Sequence, residues 1–329
     1  MKEKFDIDII VPNVRKNRSY FDEKKKETVH FAYEFNELPS SIELLVPGFE
    51  YYKFKIKVYK RIGVVLDSLP AFYWHDVKHA KIMLKFSTQA ELYDDAEIDL
   101  SIQSFVHSLE QTILVYLTSL EVSAPGLIAT IESVILANNK LVGSIQPFKS
   151  IIGEILEFNS GIRWPKIEKL EFSTTLKWVE ENFLSIIGVS TNPLQRAFNS
   201  ITHLIGHSNK NHVSDIELFW IMMGIEALYA NGEIGIAEQI RIKTQIILGE
   251  MKEFKKEIKK MYNYRSRFTH GDINIPSSFH RNDSIELEQY SVENYHSTLL
   301  ACSILLSTIQ FMIKNDYDKL NFNYKLENE

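Results

Sequence analysis

The sequence predicts an α+β protein, with an N-terminal antiparallel β-rich region followed by helices and a C-terminal all-α helical bundle. Up to about residue 90, several runs rich in β-branched and aromatic residues alternate apolar and polar positions, as half-buried antiparallel strands do. Beyond that point the apolar residues recur at helical spacing. We therefore expect a β-rich domain over 1–90, a helical middle region that continues it over 91–160, and a helical domain over 161–320.

Five segments of the N-terminal region carry the strand pattern: 5–11, 30–36, 42–46, 52–66 and 81–86. In the fourth segment, YKFKIKVYK, the lysines fall on one face. That face is either solvated and protective of a sheet edge, or a surface that meets RNA or another partner. The middle region predicts helices over 96–120, 127–143 and 147–158, before an irregular connection over 160–172.

The last third predicts five helices with short connections, which favours an antiparallel bundle. They cover 194–207, 218–232, 236–248, 251–270 and 291–313. Asn192 followed by Pro193 fits a helix cap and a first-turn proline. Ser214 with Glu217 makes a capping box, and Gly232 stops the helix that follows.

Composition excludes several classes of protein. A formal net charge of −6 over 329 residues argues against a general nucleic-acid-coating protein, although one local basic site remains compatible with it. Cys302 is the single cysteine, which excludes a disulfide framework and a thiolate metal cluster. The start does not resemble a signal peptide, and no uninterrupted apolar run reaches the ~18 residues of a membrane span. We expect a soluble, cytoplasmic protein with no membrane partner.

Neither a metal nor an organic cofactor is expected. The pairs His75/His79 and His203/His207 have i, i+4 spacing, but neither has a nearby Cys or the Glu of an H-E-x-x-H motif. The chain also has no glycine-rich phosphate loop and no G-x-S-x-G motif.

The stretch MYNYRSRFTHGD, residues 261–272, carries the strongest candidate site. Arg265 continues the apolar face of its helix, where a guanidinium needs an acid or a phosphate. His270 lies at the helix end beside Gly271, where the helix dipole favours the imidazolium. Residues five apart on an ideal helix lie about 140° from each other. Arg265 and His270 therefore converge only if the helix end distorts or if two chains contribute.

Glu226 is the only charged residue between Leu218 and Tyr229, so it should be buried and paired. The obvious partners are Arg265 and Arg241. Such a pair is either a structural ion pair or a site carboxylate that orients Arg265. The neighbouring run KEFKKEIKK, together with Arg267, makes this stretch locally basic, as a phosphate-contacting surface would be.

The order of these motifs resembles the HEPN superfamily, in particular its Apea-like branch, over about 190–315. That branch typically shows an LE-L helix, an Arg in the next helix, and then Y-x-x-R-S-x-x-x-H-G. The last motif is matched by Tyr262, Arg265, Ser266, His270 and Gly271. Glu226 matches the acid of the LE-L helix, with Ile225 in place of the first Leu, whereas Arg196 and His203 lie too early to match.

The resemblance implies a bundle that dimerises and brings Arg and His from both chains to one cleft. It also implies a metal-independent endoribonuclease, often of a bacterial toxin or antiphage defence system, that leaves 2′,3′-cyclic phosphate and 5′-OH ends. Arg265 would stabilise the transition state and His270 would act as general acid or base. Ser266 would donate a hydrogen bond to a phosphate oxygen, with Arg267, Glu226 and Arg241 in support.

The expected partners are an RNA substrate, a second copy of the chain, and a regulatory or antitoxin protein. The β-rich region would sense, regulate or select the substrate. Many active members of the family carry Asn, Asp or His where this chain has Ser266. The first rival is therefore a non-catalytic HEPN module that binds a nucleotide, RNA or a partner. The second is a structural or signalling bundle in which Arg265 only pairs with Glu226.

Overall fold

The computed structural model describes fourteen stretches of the chain and divides it into two compact units. The stretches are 2–13, 18–22, 27–31, 35–60, 80, 82–93, 98–130, 132–146, 151–162, 164–207, 215–232, 235–250, 255–272 and 285–322. The first unit comprises Met1–Gly153, Lys169–Gly188 and Ile205–Asn209. The second comprises Glu154–Glu168, Val189–Leu204 and Lys210–Glu329.

Eight strands, eight α-helices and one short 3₁₀ helix, Phe35–Glu37, lie within the described stretches. The strands are β1 Lys2–Asn13, β2 Arg18–Asp22, β3 Glu27–Phe31, β4 Ser41–Leu45, β5 Tyr51–Tyr59, β6 Ile82–Tyr93, β7 Ser133–Ala137 and β8 Lys140–Ile145. The helices are α1 Ile98–Ser123, α2 Ile152–Ile162, α3 Phe172–Ile187, α4 Pro193–His207, α5 Asp215–Tyr229, α6 Ile236–Leu248, α7 Lys255–His270 and α8 Ile285–Lys314. The predicted α+β class, with an N-terminal antiparallel sheet followed by helices, is confirmed.

The first unit is built on a six-stranded sheet in the order β4-β5-β6-β1-β7-β8, with every neighbouring pair antiparallel. The strands β2 and β3 form a separate two-stranded antiparallel sheet. In β5 the lysines are exposed while Tyr52, Phe54 and Ile56 are buried, as the alternation predicts. Helix α1 covers the buried face, where Phe105 contacts Tyr52 edge to face with ring centroids 5.4 Å apart.

The helix predicted over 127–143 is wrong, because residues 133–145 form the hairpin β7–β8. All five residues of β7 are buried, and β7 pairs with the central strand β1. A short apolar run has no period that distinguishes a buried strand from a buried helix. The turn residues Asn138 and Asn139 have φ values of 47° and 62°, as a two-residue type I′ turn requires. The middle region 91–160 is therefore mixed rather than helical.

The other differences between the predicted and the observed elements are local. The strands β2 and β7–β8 and the helix α3 are additional to the predicted elements, and α3 packs against α1 in the first unit. Residues 35–36, predicted as the end of a strand, lie in the 3₁₀ helix. The predicted connection over 160–172 is irregular from 164 to 171. The end of the fourth predicted strand (61–66), His75, His79 and Ser214 lie outside the described residues.

All five helices predicted for the last third are present as α4 to α8. Asn192 caps α4 through its Oδ1 atom, which accepts a hydrogen bond from the Gln195 backbone N–H at 2.9 Å. The Gln195 side chain accepts from the Asn192 backbone N–H at 3.2 Å. This reciprocal pair is a capping box, and it explains why the helix begins at Pro193.

Helix α8 forms the core of the second unit and contacts α5, α6 and α7. Gly224 of α5 lets α8 approach closely, because a Cβ there would lie 3.0 Å from both terminal methyl groups of Leu305. The segment Val292–Lys314 is the one described helix long and apolar enough to cross a membrane, but 83% of its apolar window is buried. Its apolar length is accounted for by burial in this unit.

Gly143→Ala should lower the free energy of unfolding by about 1–3 kcal/mol, because a Cβ at this position of β8 would lie 2.5 Å from Cγ1 of Val106 on α1. Urea denaturation followed by circular dichroism measures the loss. In a Val106→Ala background the same substitution should cost less, because the obstructing methyl group is absent. An equal cost in both backgrounds would show that this contact is not the cause.

Candidate functional site

An ion pair between α5 and α7 lies at the centre of the candidate site. An Nη atom of Arg265 donates to a carboxylate oxygen of Glu226 at 3.1 Å. The two side chains are 20% and 19% exposed, so water reaches the pair only in part. Arg241 instead pairs with Glu238, three residues earlier on its own helix and well exposed. Of the two arginines expected to meet Glu226, packing therefore selects Arg265.

The environment of the pair is only partly favourable to charge. Burial raises the pKa of Glu226, and the neighbouring Arg265 guanidinium acts against this rise. Within the described part of the chain, the second carboxylate oxygen of Glu226 and the Nε atom of Arg265 are buried without a hydrogen-bond partner. The contact is thus a single hydrogen bond rather than a bidentate pair, and each residue retains hydrogen-bonding capacity.

His270 is the last residue of α7, and its side chain is exposed. The helix ends in a Schellman motif, in which the Asp272 N–H donates to the Arg267 carbonyl at 2.8 Å and the Gly271 N–H donates to the Phe268 carbonyl at 3.2 Å. Gly271 adopts the left-handed conformation with φ at 75°, which explains the glycine after His270.

Helix α7 is continuous through His270, so its end does not distort to bring the two motif residues together. At 100° per residue, the side chains of Arg265 and His270 leave the axis about 140° apart. Arg265 points to α5, where it meets Glu226. One chain therefore presents the arginine and the histidine on different sides of α7.

The remaining predicted site residues do not join the ion pair. Ser266 is half-buried beside Arg265. Arg267 is exposed and makes one long hydrogen bond, from an Nη atom to the Asp272 carbonyl at 3.4 Å. Among the predicted residues, the structure brings Arg265 and Glu226 into contact and leaves Arg267, His270 and Arg241 at separate positions on α7 and α6.

A groove between α7 and α8 adds a residue that the sequence patterns did not single out. It has a volume of about 480 Å³ and is lined by Arg267 on one side and His296 on the other. The two residues are far apart in the sequence and line one groove only because α7 packs against α8. A single histidine in a long, mostly buried helix gives no sequence signal that it will line a groove together with an arginine of another helix.

Arg196 and His203, which lie too early in the sequence to match the motif, are both on α4. His203 of α4 stacks on Trp220 of α5, with ring centroids 4.6 Å apart. Arg196 is exposed. In the ranges that the structure describes, no group of three or more His, Cys, Asp or Glu side chains could hold a metal ion.

Comparisons with known proteins do not identify the chain. No model of a protein family, no curated protein and no solved structure matches it. Its function must therefore be inferred from its own residues and their geometry.

Arg265→Ala should lower the free energy of unfolding by about 1–3 kcal/mol at neutral pH, because Glu226 loses its cation. Burial already raises the pKa of Glu226, and the loss of Arg265 raises it further. A carboxyl whose folded-state pKa is raised contributes stability below its unfolded-state pKa and loses it as pH rises through the folded-state pKa. The deficit should therefore shrink as pH falls from neutral to mildly acidic.

Urea denaturation at both pH values measures this difference, with Arg241→Ala as the control because its ion pair is exposed. Adding Glu226→Gln to Arg265→Ala should remove the pH dependence of the deficit. A deficit that is the same at both pH values would contradict the assignment to Glu226.

Proposed function

We propose that the chain is a metal-independent endoribonuclease of HEPN type, whose Apea-like HEPN domain covers about 190–315 and lies mainly in the second unit. The observation that carries the proposal is the ion pair of Glu226 with Arg265. Arg265 lies on α7, and the same helix carries His270 of the motif Y-x-x-R-S-x-x-x-H-G. The exposed side of α7 adds Lys259, Lys260 and Arg267, which supplies local positive charge in an acidic protein.

The chemistry follows from the residue types. The RNA 2′-oxygen attacks the adjacent phosphorus while its proton passes to a general base. The bond from phosphorus to the 5′-oxygen breaks, and a general acid protonates that oxygen, which leaves a 2′,3′-cyclic phosphate and a 5′-OH. Arg265 stabilises charge on the phosphorane-like transition state through its guanidinium donors. His270 acts as the acid or the base, and Ser266 donates a hydrogen bond to a phosphate oxygen.

The proposed site is completed by a second copy of the chain. Because α7 is regular through His270, one chain does not place Arg265 and His270 side by side. An apolar stripe on α5, beside Glu226, supports self-association. Ile216 and Met223 are 51% and 42% exposed, and Trp220, one turn from both, is half-buried.

The N-terminal sheet is proposed to sense, regulate or select the substrate of a toxin or antiphage defence enzyme in the cytoplasm. Its exposed β5 lysines, Lys53, Lys55 and Lys57, offer a polar face for RNA or for a regulatory or antitoxin partner. The chemistry proposed for the site requires neither a metal nor a cofactor.

A non-catalytic HEPN module that binds RNA, a nucleotide or a partner is the second candidate. Two observations favour it. Arg265 is already engaged by Glu226, and Ser266 stands where many active members of the family carry Asn, Asp or His. Under this alternative, the same basic helix binds phosphate without cleaving the strand.

Cleavage of total RNA should persist in EDTA and fall at least about a hundredfold in Arg265→Ala and His270→Ala. The ends produced should be 2′,3′-cyclic phosphate and 5′-OH, identified by end-specific labelling. Arg196→Ala and His107→Ala are matched controls, because both residues are exposed and lie outside the motif. Cleavage that is abolished by EDTA, or retained in a folded Arg265→Ala variant, would refute the nuclease proposal.

Mixing the Arg265→Ala and His270→Ala proteins should restore part of the cleavage activity. The mixed dimer retains one Arg265 and one His270 at the shared cleft, whereas each homodimer lacks one residue type entirely. The measurement is the cleavage rate after subunit exchange, compared with each variant alone. If both residues acted within one chain, neither chain of the mixed dimer would hold an intact site and no activity would return.

A further inference from the structure

The groove between α7 and α8 has the composition of a nucleotide site. Its volume of about 480 Å³ lies within the range of about 300–1,000 Å³ that is usual for small-ligand sites. Its polar lining combines Lys260, Asn263 and Arg267 of α7 with His296 and Ser297 of α8. These side chains offer two cations, an amide, a hydroxyl and an aromatic ring in one place.

The α7 side of the groove is one continuous strip of the helix. Lys260, Asn263 and Arg267 are spaced by three and four residues, so their side chains lie above one another. Lys260 meets Glu257 at 3.3 Å, but both side chains are exposed, and such a surface pair is readily exchanged for a ligand. In the stretches that the structure describes, Arg267 makes only its 3.4 Å hydrogen bond to Asp272. Its other donors make no hydrogen bond within those stretches.

The α8 side of the groove supplies an aromatic ring, the imidazole of His296. His296 is exposed, and its imidazole lies 5.9 Å from the ring of Phe158 and 6.0 Å from that of Tyr295, measured between centroids. An exposed aromatic ring that lines a groove can stack on a base. The hydroxyl of Ser297 and the amide of Asn263 can meet the hydrogen-bonding edge of the same base.

The charge of the groove favours a nucleotide over a bare anion. Glu257 and Glu293 also line it and offset the two cations, so the groove itself is close to neutral although α7 as a whole is basic. A neutral base with one flanking phosphate matches this mixture, because the base uses the ring and the amide while Arg267 meets the phosphate.

The groove also leads to the end of α7 that carries the proposed chemistry. His270 lies three residues beyond Arg267, on the same side of the helix and about 4.5 Å further along the axis. Arg265 lies on the other side, against α5. A strand with one nucleotide beside Arg267 can therefore continue along α7 to His270.

We infer that the groove between α7 and α8 binds one unpaired nucleotide of single-stranded RNA, next to the phosphate that meets His270. Its position next to the cut rests on the proposed function, whereas the binding itself does not. His296 stacks on the base, Arg267 binds the flanking phosphate, and Asn263 contributes to the choice of base.

Binding is tested by fluorescence anisotropy with the full chain and short, labelled 2′-O-methyl-RNA strands, which lack the hydroxyl needed for cleavage. His296→Ala and Arg267→Ala should each weaken binding of single strands by about tenfold, as loss of one base stack or one phosphate contact does. Asn263→Ala should change the order of affinities among the four homopolymers. The controls are His107→Ala and Lys177→Ala, at exposed residues of the first unit, which should leave affinity unchanged.

Wild-type affinity in both His296→Ala and Arg267→Ala, or no binding of any strand by the wild type, would overturn the inference. Equal affinity for a duplex and a single strand would also overturn it, because a paired base cannot enter the groove. Both residues are exposed, so the variants should fold, and thermal unfolding checks this.

The two proposals can fail separately. If the wild type cleaves no RNA but His296→Ala loses strand binding, the inference about the groove is supported and the nuclease proposal fails. If cleavage depends on Arg265 but strand binding is unchanged in His296→Ala and Arg267→Ala, only the inference about the groove fails.

Discussion

Burial of α8 is the interaction on which the second unit depends. This helix contacts α5, α6 and α7, and its residues from Leu299 to Ile309 are all buried. It holds α5 at two points on either side of Glu226: the close approach at Gly224, and the 2.7 Å hydrogen bond between Tyr229 and Thr308. Because α7 packs on both α8 and α5, the burial of α8 places Arg265 within reach of the Glu226 carboxylate.

The regularity of α7 is the second constraint, and it separates the two motif residues. The glycine after His270 is explained by the Schellman motif, since Gly271 takes a left-handed conformation that a side chain would strain. The same regular ending directs His270 to solvent while Arg265 meets α5. The glycine that ends the helix and the residues proposed to act on RNA thus lie in one stretch of sequence. Under the proposed function, the cooperation of Arg265 and His270 becomes a property of two chains.

The pair of Glu226 and Arg265 is weak evidence for stability by itself. Removing two charges from water is costly, and this pair recovers the cost through one hydrogen bond while two of its polar atoms remain unsatisfied. Residues selected only for stability would be expected to satisfy those atoms or to replace the pair with apolar groups.

The sequence by itself determined the α+β class, the helices α4 to α8 and the cap at Asn192, because periodicity and capping act within a few residues of each other. It also determined that Glu226 needs a cation, since no other charge shares its apolar segment. Only tertiary structure decided that β7 is a strand, through pairing with β1, and that Arg265 rather than Arg241 meets Glu226. The same holds for the groove that joins Arg267 to His296. In each case the residue or strand that makes the contact is remote in the chain. Tertiary packing therefore determines the contact, and no local sequence pattern encodes it.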